Sequence, residues 1–261
     1  MAHISYSEFK DMCFCPWKHK ISWIDRIRTS SVYAVFGTAV HETLDQIAKN
    51  KLVSVEEQQK YFEESFSKNI SELSADVREK ISEKILIELT EQGRSLVPLV
   101  MPALYARFGN FTILNSEEPL FEQIKEVSEK IEGFCFKGFV DLIIRDPSEI
   151  IHVLDFKSCA WGWDIRRRTD TMVTYQLTLY KHFYAQKYNL DIEKIKTGFI
   201  LLKRTAKKDR VEYIPVTSGA KKTENAMNML TTAVYNIHRN IRIKNRLSCS
   251  KCDFYKTIHC P

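Results

Sequence analysis

No apolar run in this 261-residue chain approaches the ~18 residues that a membrane span requires, and no segment is repeated or rich in Gly, Ser and Pro. The first absence excludes a membrane-spanning protein. The second leaves nothing to mark a domain boundary, so residues 1–261 are expected to form a single domain. The start, His3 to Asp11, is polar and carries acids, unlike a secretion signal, and a soluble, cytoplasmic protein is expected. Seven cysteines, an odd number, in such a chain argue against a disulfide framework. There is no strong excess of one charge either. A formal net charge of +6 permits nucleic-acid binding without requiring it.

What is present is clearest at Gly138-Phe139-Val140-Asp141-Leu142-Ile143-Ile144 and Ile150-Ile151-His152-Val153-Leu154-Asp155-Phe156-Lys157. Two β-branched apolar runs around Pro147 predict an antiparallel hairpin. With its loop centred on Ser148, Asp141 faces Asp155 and Phe139 faces Lys157. Partners across strands and residues two apart share a face, so Asp141, Asp155 and Lys157 converge. Opposed acids on apolar strands need a partner, and a divalent cation is one. Two carboxylates beside a lysine can hold Mg²⁺ or Mn²⁺ through hard oxygen ligands, which is phosphodiester-cleaving chemistry. The bland alternative is a solvated hairpin with surface ion pairs.

Along the chain, residues 3 to 27 predict a helix capped at Ser5 or Ser7 and interrupted at Pro16. A helix follows from Thr38 as N-cap, with Val40, Leu44, Ile47 and Ala48 on its apolar face and His41 beside it; by itself that histidine reads as a core or rim residue. Residues 51–110 predict a helical insertion with a capping box at Ser54 to Glu57 and Val77, Ile81, Ile85 and Leu89 recurring every fourth position. Its charged mixture reads as a solvated outer face without chemistry. Short strands are expected at Phe111 to Leu114, Pro119 to Val127 and Lys130 to Phe136. After the hairpin come a loop with Trp161 and Trp163, an aromatic-rich helix from Thr174 to Tyr188, strands at Thr197 to Lys203 and Val211 to Val216, and a helix from about Gly219 to Lys244. Gln176 and Tyr180 share a face of their helix, where a tyrosine is ordinarily packing.

The basic residues cluster at Arg166, Arg167 and Arg168, at Lys203, Arg204, Lys207, Lys208 and Arg210, and at Arg239, Arg242, Lys244 and Arg246. Such runs are usually solvated faces, but beside a phosphodiesterase centre they read as a track for a nucleic-acid backbone. Cys249 and Cys252 have metal-ligand spacing, Cys260 can supply a third thiolate, and Cys15, followed by proline, a fourth, with Cys13 second choice. That set would staple residues 1–30 to 245–261 across a very long loop. Spacing alone leaves zinc, with His19 or His259 completing the site, open beside an iron–sulfur cluster. Cys135 and Cys159 read as buried small hydrophobes.

Taken in order, these residues resemble the PD-(D/E)XK nuclease superfamily, and within it the RecB-like exonucleases, including CRISPR-associated and phage-encoded members with iron–sulfur clusters. Helix 38–50, three strands within 117–157, helix 174–188 and strand 197–203 are similar to the family's αβββαβ core, an α/β restriction-endonuclease-like fold with a mixed central sheet. Gly37 to Glu42 resembles the G-x-x-x-H-E segment, which implies His41 as a metal ligand. Gly138 to Asp141 resembles the G-x-x-D strand, implying Asp141 as a ligand. Asp155-Phe156-Lys157 resembles D/E-x-K, implying Asp155 as a ligand and Lys157 as the catalytic lysine. Gln176 to Tyr180 resembles the Q-x-x-x-Y helix, which contacts DNA and supports the active site. Glu117 or Glu118 can match an accessory acid. The cysteines are similar to the family's 4Fe-4S site, which moves the expectation from zinc to iron–sulfur; the gap from Cys252 to Cys260 is longer than usual.

The resemblance implies a Mg²⁺- or Mn²⁺-dependent deoxyribonuclease. Expected is an exonuclease preferring single-stranded DNA ends, in phage or prokaryotic recombination, repair or replication, with a helicase or recombinase as a candidate partner. Trp161, Trp163 or Tyr180 can stack on unpaired bases. A structure-specific endonuclease on the same fold is one alternative, and a DNA-binding subunit without catalysis is the other. The intact His41, Asp141, Asp155 and Lys157 argue against the last.

Overall fold

The computed structural model describes residues 2–125, 131 and 133–261. The strands expected up to Val127 and from Lys130 fall partly outside them. The chain starts with a short strand, β1 (His3–Ser5), instead of a helix. Its backbone is satisfied by parallel pairing with β3 (Cys135–Arg145), a partner far away in sequence that no local pattern reveals. Ser5 then caps helix α1 (Tyr6–Phe14), accepting a hydrogen bond from the Glu8 amide. The helix breaks at Cys15, in extended backbone before Pro16, as a proline at that place dictates. Helix α2 (Pro16–His19) and a π-helical turn (Lys20–Ile24) follow.

Helix α3 (Val32–Ala48) begins earlier than expected. Ser31 is its N-cap, accepting from the Ala34 amide, and Thr38 lies inside the helix with its hydroxyl donating to the Ala34 carbonyl. The insertion is helical: α4 (Val55–Ser71), α5 (Ala75–Arg78), α6 (Glu83–Leu96) and α7 (Val100–Phe108). The capping box forms at Ser54 and Glu57, but the recurrence from Val77 to Leu89 crosses the break between α5 and α6.

Strand β2 (Thr112–Gln123) is one long strand with a bulge between Ile113 and Asn115, where two short segments were expected. It runs antiparallel to the whole of β3. The opposite edge of β3 is shared by β1, at Cys135 to Lys137, and by β4 (Ile151–Cys159), at Leu142 to Arg145. The chain crosses through α8 (Ile165–Thr169) and α9 (Thr171–Tyr188) to β5 (Ile195–Lys203), parallel to β4, and β6 (Val211–Val216) closes the mixed sheet antiparallel to β5. Helix α10 (Ala220–His238) ends six residues short of the expected Lys244. One face of the sheet packs on α1, α9 and α10, with Phe9, Leu177, Phe183 and Leu230 in its core. The other packs on α3 and the insertion, with Phe36, Phe62, Leu96 and Leu154 in its core. Among the described residues, no helix is long and apolar enough to cross a membrane.

The feature that makes a site is a fork between β3 and β4. Their register, Leu142 opposite Leu154 and Arg145 opposite Ile151, is that of a loop centred on Ser148, but the ladder stops at Leu142. From Asp155 onward β4 pairs with β5 alone. At the fork the alternation of β3 slips: Val140 and Ile143, three apart, lie in the same core, while Leu142 and Ile144 lie in the other. On β2 the facing irregularity is Glu117, in left-handed backbone at φ +50°. Non-glycine residues in such conformations concentrate at functional sites.

Candidate active site

Asp141 stands at the point of the fork. Its Oδ2 accepts the backbone N–H of Phe156 at 2.6 Å, so a side chain bridges the strands where the backbone ladder has ended. Its Oδ1 lies 3.3 Å from Nδ1 of His41, on the sheet-facing side of α3. His41 is held edge-on against the Phe156 ring. Glu117 completes the group, and ligand atoms of His41, Glu117 and Asp141 all lie within 4.8 Å of one another. One imidazole and two carboxylates are a donor set suited to a hard divalent cation that keeps water or phosphate oxygens in its remaining positions.

Asp155 comes to the same fork from β4, buried, with its carboxylate turned the other way. Its Oδ1 accepts from Nε2 of Gln176 at 2.8 Å and its Oδ2 pairs with Nζ of Lys157 at 2.7 Å. Gln176 also donates to Oη of Tyr180, so the two residues sharing a face of α9 act as one support. Gly138 admits that support: a Cβ there would meet the Tyr180 ring at 2.8 Å. Lys157 is about a third exposed and reaches the mouth of the fork.

The charges are mutually adjusted. Burial would lower His41, but Asp141 and Asp155 outweigh it and push the imidazole up to about 9, Lys157 opposing. For Asp141, burial pulls upward, and His41, Lys157 and the Phe156 amide prevail and hold it below the ordinary carboxylate range. Burial, with Asp141 beside it, raises Asp155 to about 6 against the pull of Lys157. Burial also raises Glu117, to about 7, with Asp141 and Asp45 adding to it and His41 and Lys49 opposing. Several anionic groups forced together are what a bound cation relieves.

On one side of this centre opens a cleft of about 740 Å³, lined by His41, Glu42, Asp45, Glu117 and, from the insertion, Tyr61, Ser65 and Lys68. The insertion is therefore more than a solvated outer face. Ser65 and Asn69 of α4 donate to the Glu42 carboxylate, tying the insertion to the helix that carries His41. The pattern of charges could not reveal this, because it needs α4 laid against α3.

Glu118, the other candidate acid, points into the opposite core, bound by Lys187 and Tyr188. Of the basic residues, Arg168 and Lys203 pair with Glu212, and Arg204 is packed over Tyr33 and Phe36. Arg166, Arg167, Lys207 and Lys208 remain exposed. Trp163 is buried beneath Arg167 and Tyr180 is buried in the core, so only Trp161 of the expected stacking residues lies open. Two residues near the site were not anticipated. Tyr6 is buried with its hydroxyl electrostatically close to Asp155, and Lys10 is lowered by the protein packed about it, with Asp11 opposing and Lys157, Lys18 and Arg167 reinforcing. Both come from the first helix, which nothing in the sequence brings to the fork.

At the far side of α1, Cys15, Cys249, Cys252 and Cys260 line one small cavity. Cys13 opens elsewhere, between α1 and α10. Among the described residues, no three cysteine sulfurs lie within 4.8 Å of one another. The chain ends meet directly: the Asn245 amide donates to Cys15 Sγ, its side chain to the Phe14 carbonyl, and Trp17 to the His259 carbonyl. His19 is engaged by Glu8 at 2.9 Å. Cys135 is buried in β3, as a small hydrophobe should be.

The model of the PD-(D/E)XK nuclease superfamily matches residues 3–257. No curated protein matches the chain. Among solved structures, that of SSO0001 is similar over 95% of this chain and 93% of its own, at 13% identity and a TM-score of 0.39, a likeness too distant to speak to function. A family match over nearly the whole length, on a mixed sheet that forks around a His/Glu/Asp group able to hold a metal ion, places this chain in the PD-(D/E)XK nuclease superfamily.

Proposed function

We propose that the protein is a metal-dependent DNA exonuclease that hydrolyses phosphodiester bonds at single-stranded ends. The observation that carries this reading is the gathering of His41, Glu117, Asp141, Asp155 and Lys157 at one fork in the sheet. His41, Glu117 and Asp141 would hold Mg²⁺ or Mn²⁺ with Asp155 adjoining, and the ion supplies charge stabilisation at the phosphoryl oxygens and acidifies water. Lys157, aimed by its ion pair with Asp155, brings its Nζ to the mouth of the fork, where a phosphate oxygen or the attacking water is oriented. Gln176 fixes the carboxylate that fixes the lysine. Exposed Arg166, Arg167, Lys207 and Lys208 supply cations for the strand's phosphates.

Cys15, Cys249, Cys252 and Cys260 are assigned to a structural 4Fe-4S cluster. Four thiols on one cavity, and a His19 already bound to Glu8, support a four-cysteine set over a zinc site using that histidine. Iron and acid-labile sulfide in protein purified without oxygen, lost in Cys249→Ser, test it.

The activity is tested with 5′-labelled and 3′-labelled linear single strands and a closed circular single strand in Mn²⁺, for wild type and Asp155→Ala. Shortening of the linear strands that spares the circle and vanishes in the variant is expected. Cutting of the circle makes the protein an endonuclease, and tight binding without cutting makes it a binding subunit.

A further inference from the structure

On the side of the fork away from the acidic cleft is a recess of about 310 Å³, lined by Tyr6, Ser7, Trp23, Lys137, Phe139 and Tyr180, among others. We propose that it is a subsite for the unpaired base of the nucleotide next to the scissile phosphate. This deepens the nuclease reading and rests on it.

The recess exists because β3 runs unaccompanied on this edge. Gly138 to Asp141 lie between the end of the β1 pairing and the start of the β4 pairing. Along that stretch burial alternates, with Gly138 and Val140 inward and Lys137, Phe139 and Asp141 outward. At ~3.4 Å per residue Phe139 is about 7 Å along the strand from Asp141, and Lys137 as far again. A cation, an aromatic ring and a metal-ligating carboxylate thus follow one another along a single edge. Phe139 is 49% exposed, and Phe121, diagonal to it on β2, is 47% exposed and packs against His3. An apolar patch that the core could have covered lies beside the chemistry, and aromatic faces there are platforms on which unpaired bases stack.

A second observation points to a ligand. Tyr6 is 7% exposed, yet its hydroxyl has no hydrogen-bond partner among the described residues. Leaving a buried hydroxyl unpaired is unfavourable, and a base edge, with its donors and acceptors, can pair with it. Trp23, fixed by its indole N–H on Asp11 and by Arg28 over its ring, forms the outer wall. The floor is Tyr180, whose hydroxyl accepts from Gln176, the residue that holds Asp155. A base in the recess therefore rests on the support of the catalytic carboxylate. A base within a duplex is stacked and paired, and has to leave the stack to enter. The recess accordingly selects single-stranded DNA or a frayed end.

The test pairs a protein change with a substrate change. Oligodeoxynucleotides carrying one abasic residue at successive positions are bound to Asp155→Ala protein, with and without Phe139→Ala, and cleaved by the wild-type and Phe139→Ala enzymes in Mn²⁺. Phe139→Ala is expected to weaken single-strand binding about tenfold, the scale of one lost base stack, and Phe139→Tyr to restore it. At one position the abasic residue should cost the parent protein about as much and the Phe139→Ala protein almost nothing, since both remove the same contact. Equal abasic penalties in the two proteins at every position, or unchanged binding in Phe139→Ala, overturn the proposal. If wild type cleaves no nucleic acid, the nuclease reading fails, and the binding comparison still decides whether the recess takes a base.

Discussion

Asp141 accepts the backbone N–H of Phe156 across the place where β3 and β4 separate. One carboxylate thereby both closes the fork and, through its other oxygen, faces His41. The two roles are separable by substitution. Asp141→Asn keeps an acceptor for the amide and should unfold thermally near wild type while losing activity. Asp141→Ala leaves a buried N–H unpaired and should lose about 1–3 kcal/mol of stability as well. Denaturant titration without metal, alongside the nuclease assay, checks both; equal destabilisation in the two variants would show that the bond to Phe156 contributes nothing.

Neighbouring acids on β2 have opposite fates. Glu117 joins His41 and Asp141 in a group able to hold a metal ion, and Glu118 is buried against Lys187 and Tyr188. Mn²⁺ should raise the melting temperature of the wild-type protein, since a ligand of the native state stabilises it, and Glu117→Ala should abolish that rise. Glu118→Ala should keep the Mn²⁺ response and start from a lower melting temperature, having removed the carboxylate that holds Lys187 and Tyr188. A Mn²⁺ response retained in Glu117→Ala removes it from the site.

The sequence left the choice between those two acids open, because the strand was expected to start only at Pro119. Once β2 is seen to run through both, alternation from the core residue Leu120 puts Glu118 inward and Glu117 outward. The hairpin register from Arg145 opposite Ile151 to Leu142 opposite Leu154 could be read from two apolar runs and a turn, because strand pairing across a short loop is local. The expected pairing of Asp141 with Asp155 does not form, since the ladder ends before it. The fork itself could not be read. It exists because β1 takes the edge of β3 that β4 gives up, a competition between segments over a hundred residues apart. Tyr6 and Ser65 were missed for the same reason: each reaches the centre through packing of one element on another, of which composition and spacing carry no trace.

Gly138 is a close-approach glycine. The Tyr180 ring occupies the space that a side chain would fill, with the nearest atom 2.8 Å from a Cβ. Gly138→Ala should push Tyr180 off the strand and displace Gln176 with it, at about 1–3 kcal/mol of overpacking. Catalysis should fall further than stability alone explains, because Gln176 holds Asp155. The measurement is kcat for Gly138→Ala at a temperature where circular dichroism shows it fully folded. Wild-type kcat there would mean the tyrosine adjusts without moving the carboxylate.

At the other end of the hairpin, His152 and Asp146 should make the protein acid-sensitive away from the active site. His152 is 5% exposed, its ring tilted against that of Phe108, and bonded through Nε2 to Asp146 at 2.7 Å. Burial lowers its pKa below the ordinary histidine value, with Asp146 opposing. For Asp146 burial pulls upward, but His152 and the amides of Ile150 and Ser148 hold it below the usual carboxylate range. Both groups are therefore lower in the folded chain than in the unfolded one, and the unfolded chain takes up protons first as pH falls. The contribution of His152 is complete above about pH 6.5 and is lost below it; that of Asp146 is lost below about pH 4. His41 has the opposite sign, since its value is raised to about 9 and its contribution is lost as pH rises through that value. Comparison of wild type with His152→Gln, which can still donate to Asp146, isolates the first effect. Urea midpoints should fall between pH 7 and pH 5 by more in wild type than in the variant. Parallel curves would mean that His152 takes its proton in the folded state as readily as in the unfolded one.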